Sequence, residues 1–141
     1  MCEQAVNQIE EGNALRLDFH KLLKIAESGA EVVPTAVQNI DTREVILVAY
    51  VNDQALQATI ETRIATFWST SRNELWVKGK SSGETFTVLE IYVNCEQNSL
   101  LYVVRPERGG ICHTRNRKGE PRNCYYRRIR WGTQDLENIN P

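Results

Sequence analysis

The sequence predicts an α+β fold, one domain built on a mostly antiparallel sheet with a few short helices. Three observations predict it. Short apolar stretches near 33–39, 45–51, 65–69, 75–78, 84–95 and 100–104 have strand composition and are parted by Asn, Asp and Gly turns. Two further stretches, 18–28 and 53–62, have helical spacing instead. No repeat and no linker divides the 141 residues, a length suited to one domain.

Residues 1–17 read as a polar lead-in, and Cys2 within it is discounted as part of a frayed end. Met1–Glu11 is acidic and lacks an apolar core, so no signal peptide is expected. From Asp18 to Ser28, Phe19, Leu22, Leu23, Ile25 and Ala26 share a helical face, with Asp18 as N-cap and Gly29 as stop. Val32–Asn39 then extends through Pro34, and Asp41-Thr42-Arg43 turns the chain into the near-continuous apolar run Val45–Val51, read as a buried strand. Asn52 can cap a helix over Asp53–Thr62. Ala65–Ser69 and Leu75–Lys78 are extended around the turn Arg72-Asn73-Glu74. In Glu84–Cys95, strict alternation puts Phe86, Val88 and Glu90 on one face and Thr87, Leu89, Ile91 and Val93 on the other. Leu100–Val104 follows, and Tyr125, Tyr126, Ile129 and Trp131 suit a last strand. The domain is placed at residues 18–131, and residues 132–141 are expected to be a disordered tail.

Apolar residues at 41% and charged residues at 25% are ordinary for a globular chain. No run approaches the roughly 20 apolar residues that cross a bilayer, so no membrane partner is expected. The charge is uneven. Residues 105–130 hold nine Lys and Arg against Glu107 and Glu120 alone. This stretch has either an anionic partner, a phosphate-bearing ligand or a nucleic acid, or the basic decoration of a solvated flexible loop.

Cys95, Cys112 and Cys124 lie in a chain expected to be cytoplasmic, where thiols stay reduced and clustered cysteines serve as metal ligands or reactive groups. Thiolates hold zinc at about 2.3 Å, and three protein ligands leave a fourth position open. Their spacing is not that of paired Cys-x-x-Cys modules, and buried inert cysteines read equally well from spacing alone. His113, beside Cys112, adds an imidazole able to act as general acid or base. His20 reads as structural.

The motifs then become specific. Val33-Pro34-Thr35-Ala36-Val37-Gln38, the apolar strand ending at Asn52, Phe67-Trp68-Ser69-Thr70-Ser71-Arg72, Leu75-Trp76-Val77-Lys78-Gly79-Lys80-Ser81-Ser82-Gly83 and Gly110-Ile111-Cys112-His113-Thr114 occur in order. Together they resemble phosphoribosyl-AMP cyclohydrolase, a histidine-pathway family that hydrolytically opens an adenine ring. The resemblance runs from about Val32 to Tyr126. It implies an entwined homodimer with zinc shared across the interface, Cys95 of one chain joining Cys112 and Cys124 of the other. It also implies that zinc lowers the pKa of a water toward about 7, for attack on the purine carbon beside the ribosylated nitrogen. His113 would move the protons, and Trp68, Ser69, Ser71, Arg72, Lys78, Ser82 and Gly83 would bind substrate. Hydroxyls and cations suit phosphate and ribose oxygens. Against this, Ser69 and Ser71 also suit strand edges, Arg72 a solvated turn, and Trp68 and Trp76 a core.

Three departures bear on the site. The family's Asp-Cys-Asp-x-Asp, whose carboxylates bind magnesium, is here Asn94-Cys95-Glu96-Gln97-Asn98. Magnesium favours carboxylate oxygen, so this degraded set of Asn94, Glu96 and Asn98 is expected to bind it weakly or not at all. Glu84 stands where the family has His. A basic insert near 116–122 separates Cys112 from Cys124 by eleven residues. Three readings follow: zinc-dependent ring opening of phosphoribosyl-AMP, a paralogue acting on another purine- or pterin-like nucleotide ring, or a non-catalytic nucleotide- or nucleic-acid-binding protein. Small phosphorylated nucleotides are the expected ligands and nucleic acid the less favoured one. A zinc nucleobase deaminase is set aside because its His-x-Glu and Pro-Cys-x-x-Cys elements are missing.

Overall fold

Strand order, more than strand content, positions the site. The computed structural model describes residues 7–141, so Cys2 and the start of the lead-in lie outside the described residues. In chain order the elements are α1 (Gln8–Glu11), α2 (Lys21–Ser28), β1 (Val33–Asn39), β2 (Val45–Val51), α3 (Asp53–Thr62), β3 (Thr66–Ser69), β4 (Glu74–Val77), β5 (Phe86–Val93), β6 (Leu100–Pro106), β7 (Arg127–Ile129) and β8 (Leu136–Asn138). The architecture is α+β, as predicted. A four-stranded sheet runs β2-β1-β6-β5, with β3–β4 and β7–β8 as separate hairpins.

The outer pairs are antiparallel, but the central pair β1–β6 is parallel, from Thr35 opposite Leu100 to Asn39 opposite Val104. β6 is therefore flanked on both sides, and Tyr102, Val103 and Val104 are buried within it. β2 is an edge strand. Its apolar run is buried at Ile46, Leu47, Ala49 and Val51 but exposed at Val45 and Val48. The core joins Val37, Ile46, Phe67, Phe86, Tyr102 and Val104, and Phe67 stacks obliquely on Trp76 (5.3 Å between ring centroids) and Tyr102 (5.9 Å). These contacts fix the β3–β4 hairpin, which carries Arg72 and leads into Lys78.

Capping residues set the helix ends. Asn52 Oδ1 accepts from the Ala55 N–H at 2.8 Å, starting α3 where expected. At α2, Gly29 in the left-handed region ends the helix as expected, but the N-cap is His20. Asp18 instead accepts from the His20 N–H. The apolar face of α2 buries only Ile25, leaving Phe19, Leu22 and Leu23 exposed.

Three further expectations are corrected. The alternation in β5 breaks at a bulge between Val88 and Glu90, so Ile91 returns to the core beside Phe86 and Val88 while Leu89 is exposed. One extra residue shifts the phase of every side chain beyond it. The tail is ordered. β8 pairs with β7 from Leu136 opposite Ile129 to Asn138 opposite Arg127, and the Ile139 N–H donates to the Tyr126 carbonyl. Trp131, assigned to the last strand, is instead almost fully exposed in the turn. No helix among the described residues is long and apolar enough to cross a membrane.

Candidate active site

The loop after β6 folds back on itself, and this brings the two distant cysteines together. Asn116 donates its N–H to the Glu120 carbonyl, and its side-chain oxygen accepts from the Lys118 and Glu120 N–H groups. Arg115 bridges Pro121, and the Cys112 N–H donates to the Arg122 carbonyl at 3.0 Å. The Cys124 N–H is pinned to the Ile46 carbonyl of β2 at 2.9 Å. The insert is thus a closed, hydrogen-bonded loop rather than a flexible one. Cys112 is buried and Cys124 exposed beside it, and partial desolvation together with the neighbouring Cys112 pushes the Cys124 thiol up to about 12. Neighbouring thiols resist a negative charge unless a cation joins them.

The thiols border a cleft of about 730 Å³ that also holds Arg72, Lys78, Ser82, Glu84, His113 and Arg115. Lys78 leaves the end of β4 and stands 5.1 Å over the Phe86 ring. Burial lowers its pKa, opposed by Glu84 and the two cysteines. Glu84 pairs with Arg115 at 3.3 Å. Its carboxylate lies where a side chain on Gly110 would begin, about 2 Å from an ideal Cβ there. Only glycine leaves that room.

The other predicted residues divide. Trp68, Ser69 and Ser71 line a neighbouring cleft of about 380 Å³, joined to the first through Arg72 and Trp76, which border both. The Ser69 hydroxyl accepts from the Arg72 backbone N–H and from Nε, each at 3.3 Å, and Arg72 also pairs with Glu74. Gly83 lines neither cleft. It turns the chain at φ +77°, against the Arg108 guanidinium. Cys95 is exposed in the turn between β5 and β6. The seven residues of β6 separate that turn from the start of the cysteine loop, a span of about 20 Å at roughly 3.3 Å per residue. Among the described residues no three His, Cys, Asp or Glu side chains of one chain converge as metal ligands. Around Cys95 the turn closes on its own amides. Asn94 Nδ2 donates to Asn98 Oδ1 at 2.6 Å, Asn94 Oδ1 accepts from the Asn98 and Ser99 N–H groups, and Asn98 Nδ2 donates to Glu96.

Sequence reasoning missed the residues that hold the cysteine loop. The Thr114 hydroxyl donates to Cys112 Sγ at 3.1 Å and accepts from Arg122 Nε at 3.1 Å. Arg122 is buried, lies 3.6 Å over the Tyr126 ring, donates to the Asn140 carbonyl at 2.9 Å and pairs with Glu11. His113 Nε2 meets Glu10 Oε1 at 2.6 Å. Among the described residues, six of the nine basic residues in 105–130 have partners: Arg105 with Asp41, Arg115 with Glu84, Arg122 with Glu11, Arg128 with Glu137, Arg130 with Asp135, and Arg127 with the Ile9 and Gly12 carbonyls. The charge run is largely internal wiring. The Cys-His-Thr motif carried a signal for Thr114, but nothing local marked Glu10, Glu11 or Arg122.

A family model described as Phosphoribosyl-AMP cyclohydrolase matches residues 47–126. The Phosphoribosyl-AMP cyclohydrolase of Hyphomonas neptunium is 46% identical over 101 residues, covering 72% of this chain and 72% of that protein. That of Archaeoglobus fulgidus is 39% identical over 107 residues, 76% of this chain and 92% of that protein. The Histidine biosynthesis bifunctional protein HisIE of Aquifex aeolicus is 41% identical over 107 residues, 76% of this chain and 49% of that protein. With the cleft, the paired thiols and the ordered motifs in place, these matches settle the lineage: the chain belongs to the phosphoribosyl-AMP cyclohydrolase family.

Proposed function

We propose that this chain hydrolyses the adenine ring of phosphoribosyl-AMP, using a zinc ion held by Cys112 and Cys124 of one chain and Cys95 of a second. The observation that carries the reading is that Cys112 and Cys124, eleven residues apart in sequence, line one cleft together with Lys78, Arg115 and His113. The donor set fits zinc. Two soft sulfurs stand together with a Thr114 hydroxyl already donating to one of them. A third ligand must come from another molecule, because Cys95 lies beyond the far end of β6. A second copy would also cover apolar surface now bare at Phe19, Leu22, Leu23, Val45 and Val48.

Bound there, zinc supplies a water with a pKa near 7. The chain does the rest. His113 accepts the proton released as oxygen adds to the ring carbon, and returns it to the nitrogen freed as the carbon–nitrogen bond breaks. Lys78 and Arg72 face the cleft as phosphate partners, with the Ser82 hydroxyl beside them. Magnesium does not fit the Asn94–Asn98 turn. Its one carboxylate is Glu96, and both amide oxygens already accept N–H groups from within the turn. Glu84, paired with Arg115 in the cleft, supports a second reading in which the ring opened is another purine- or pterin-like base. Nucleic acid is disfavoured because so many of the arginines are already paired.

The test is ring opening of phosphoribosyl-AMP followed by ultraviolet absorbance, with metal analysis alongside. The expected protein holds about one zinc per chain, lost together with activity in Cys124→Ala. Cys95→Ala and Cys112→Ala are each expected to be inactive alone. Mixed and refolded together, they regain about a quarter of wild-type activity, because each heterodimer keeps one intact site of two. Full activity in metal-free protein, or no recovery on mixing, refutes the shared site. Faster opening of another nucleotide ring favours the second reading.

A further inference from the structure

We infer that Glu10, on the N-terminal turn α1, is a positioning residue that fixes the tautomer of His113 and so decides which ring nitrogen works in the cleft. The inference rests on His113 acting in the proposed hydrolysis, and it adds to the site a residue from outside the matched region 47–126.

The N-terminal segment is tied down by its backbone. The Tyr126 hydroxyl donates to the Glu10 carbonyl at 2.6 Å, Arg127 donates to the carbonyls of Ile9 and of Gly12 (2.9 Å), and the Leu136 N–H donates to the Asn13 carbonyl at 2.7 Å. The partners come from the end of the cysteine loop and from the β7–β8 hairpin. With the backbone so held, neighbouring carboxylates reach two points of one loop: Glu10 meets His113, and Glu11 meets Arg122. Arg122 in turn supports Thr114 against Cys112. The two ends of the chain thus form a strap over the loop that carries Cys112, His113 and Cys124.

The chemistry of the Glu10–His113 contact is directional. A carboxylate oxygen accepts, so the geometry assigns the donor of this contact to His113 Nε2, 2.6 Å from Glu10 Oε1. Nδ1 is left as the nitrogen that can take and return a proton. The His113 side chain is 78% exposed, and among the described residues its ring makes no other hydrogen bond. Without Glu10 nothing else in the described chain selects a tautomer or an orientation. A base held by a third group is the recurring arrangement for side-chain proton transfer.

The test uses full-length, zinc-loaded protein. Glu10→Ala is expected to lower kcat about ten- to hundredfold with KM changed less than about threefold. Glu10→Gln, whose amide oxygen still accepts from Nε2–H, restores most of kcat. The second readout is independent of turnover. The chain has two histidines, so a long-range proton–nitrogen spectrum shows two rings, with His20 as internal control. Wild type and Glu10→Gln should show His113 protonated at Nε2, and Glu10→Ala a mixture. Glu10 is partly exposed on a four-residue helix, so the variants should melt with wild type. Unchanged kcat in Glu10→Ala, or an unchanged His113 nitrogen pattern, overturns the inference. If wild type fails to open phosphoribosyl-AMP, the proposed reaction fails, yet the spectrum still decides the Glu10–His113 coupling.

Discussion

Replacing Arg122 by Met tests whether the strap and the cysteine loop form one structural unit. The Arg122 side chain is 1% exposed, and its guanidinium serves three partners: the Thr114 hydroxyl at 3.1 Å, the Asn140 carbonyl at 2.9 Å and the Glu11 carboxylate. Removing one member of a buried ion pair costs about 3–5 kcal/mol, because the remaining charge loses its partner. The stranded Glu11 is 36% exposed and can rehydrate, which points to the lower end. The guanidinium also stacks 3.6 Å from the Tyr126 ring centroid. A methionine sulfur on that ring recovers part of the lost contact, about 0.3–1.5 kcal/mol. The sum is a loss of about 3 kcal/mol, or roughly 10 °C in Tm for a chain of this size.

A functional effect should accompany the loss. Without Arg122 Nε, the Thr114 hydroxyl is free to turn away from Cys112 Sγ. On the proposed zinc reading, zinc affinity read by chelator competition should also fall about tenfold, the usual effect of removing a group that orients a metal ligand. Arg122→Lys keeps the charge but cannot reach three partners in a fork, so it should fall between Met and wild type. Thermal and urea unfolding of metal-free protein are the primary assays. An Arg122→Met protein within about 1 kcal/mol of wild type would show that the buried network contributes no net stability, and the reasoning fails.

The remaining predictions concern the scaffold. Thr35 is fully buried in β1 and its hydroxyl has no hydrogen-bond partner among the described residues, so Thr35→Val should raise stability by about 1 kcal/mol, seen as a higher urea midpoint at constant slope. Gly79 and Gly110 should respond differently to alanine. At Gly79, φ is +80° and an added Cβ meets the Glu84 backbone at 2.1 Å, so Gly79→Ala should cost more than about 2 kcal/mol. At Gly110 the obstacle is the end of the Glu84 side chain, so Gly110→Ala should displace Glu84 from Arg115 at a cost below about 1 kcal/mol. Equal losses at the two glycines, measured by urea unfolding, would contradict this.

Local signals made much of the fold legible. β1, β2 and α3 lie within a residue of their expected positions because side-chain period and the Asn52 cap are properties of adjacent residues. What the sequence could not display is set by long-range contact. The parallel β1–β6 pair joins residues about 65 apart, and the Leu89 bulge is defined only against β6. The ordered tail depends in the same way on a partner strand and on the Asn13 and Tyr126 carbonyls. Periodicity in β5 was real, but a phase computed from one strand cannot include an insertion relative to another.

The site divides along the same line. Lys78, Ser82, Cys112 and His113 sit in short ordered motifs and meet in one cleft, while Trp68, Ser69 and Ser71 sit next to it. Glu10 contacts His113 across a sequence separation of 103 and Glu11 contacts Arg122 across 111. No composition rule reaches that far. The basic run shows why: net charge marks where an anion is needed and says nothing about whose it is. Here the Arg122 anion comes from the chain's own first helix. The insert that parts Cys112 from Cys124 therefore need not be tuned to substrate. By closing on itself and presenting Arg122 inward, it returns Cys124 to the cleft that Cys112 lines despite its length, and it ties the placement of the two cysteines to both chain ends.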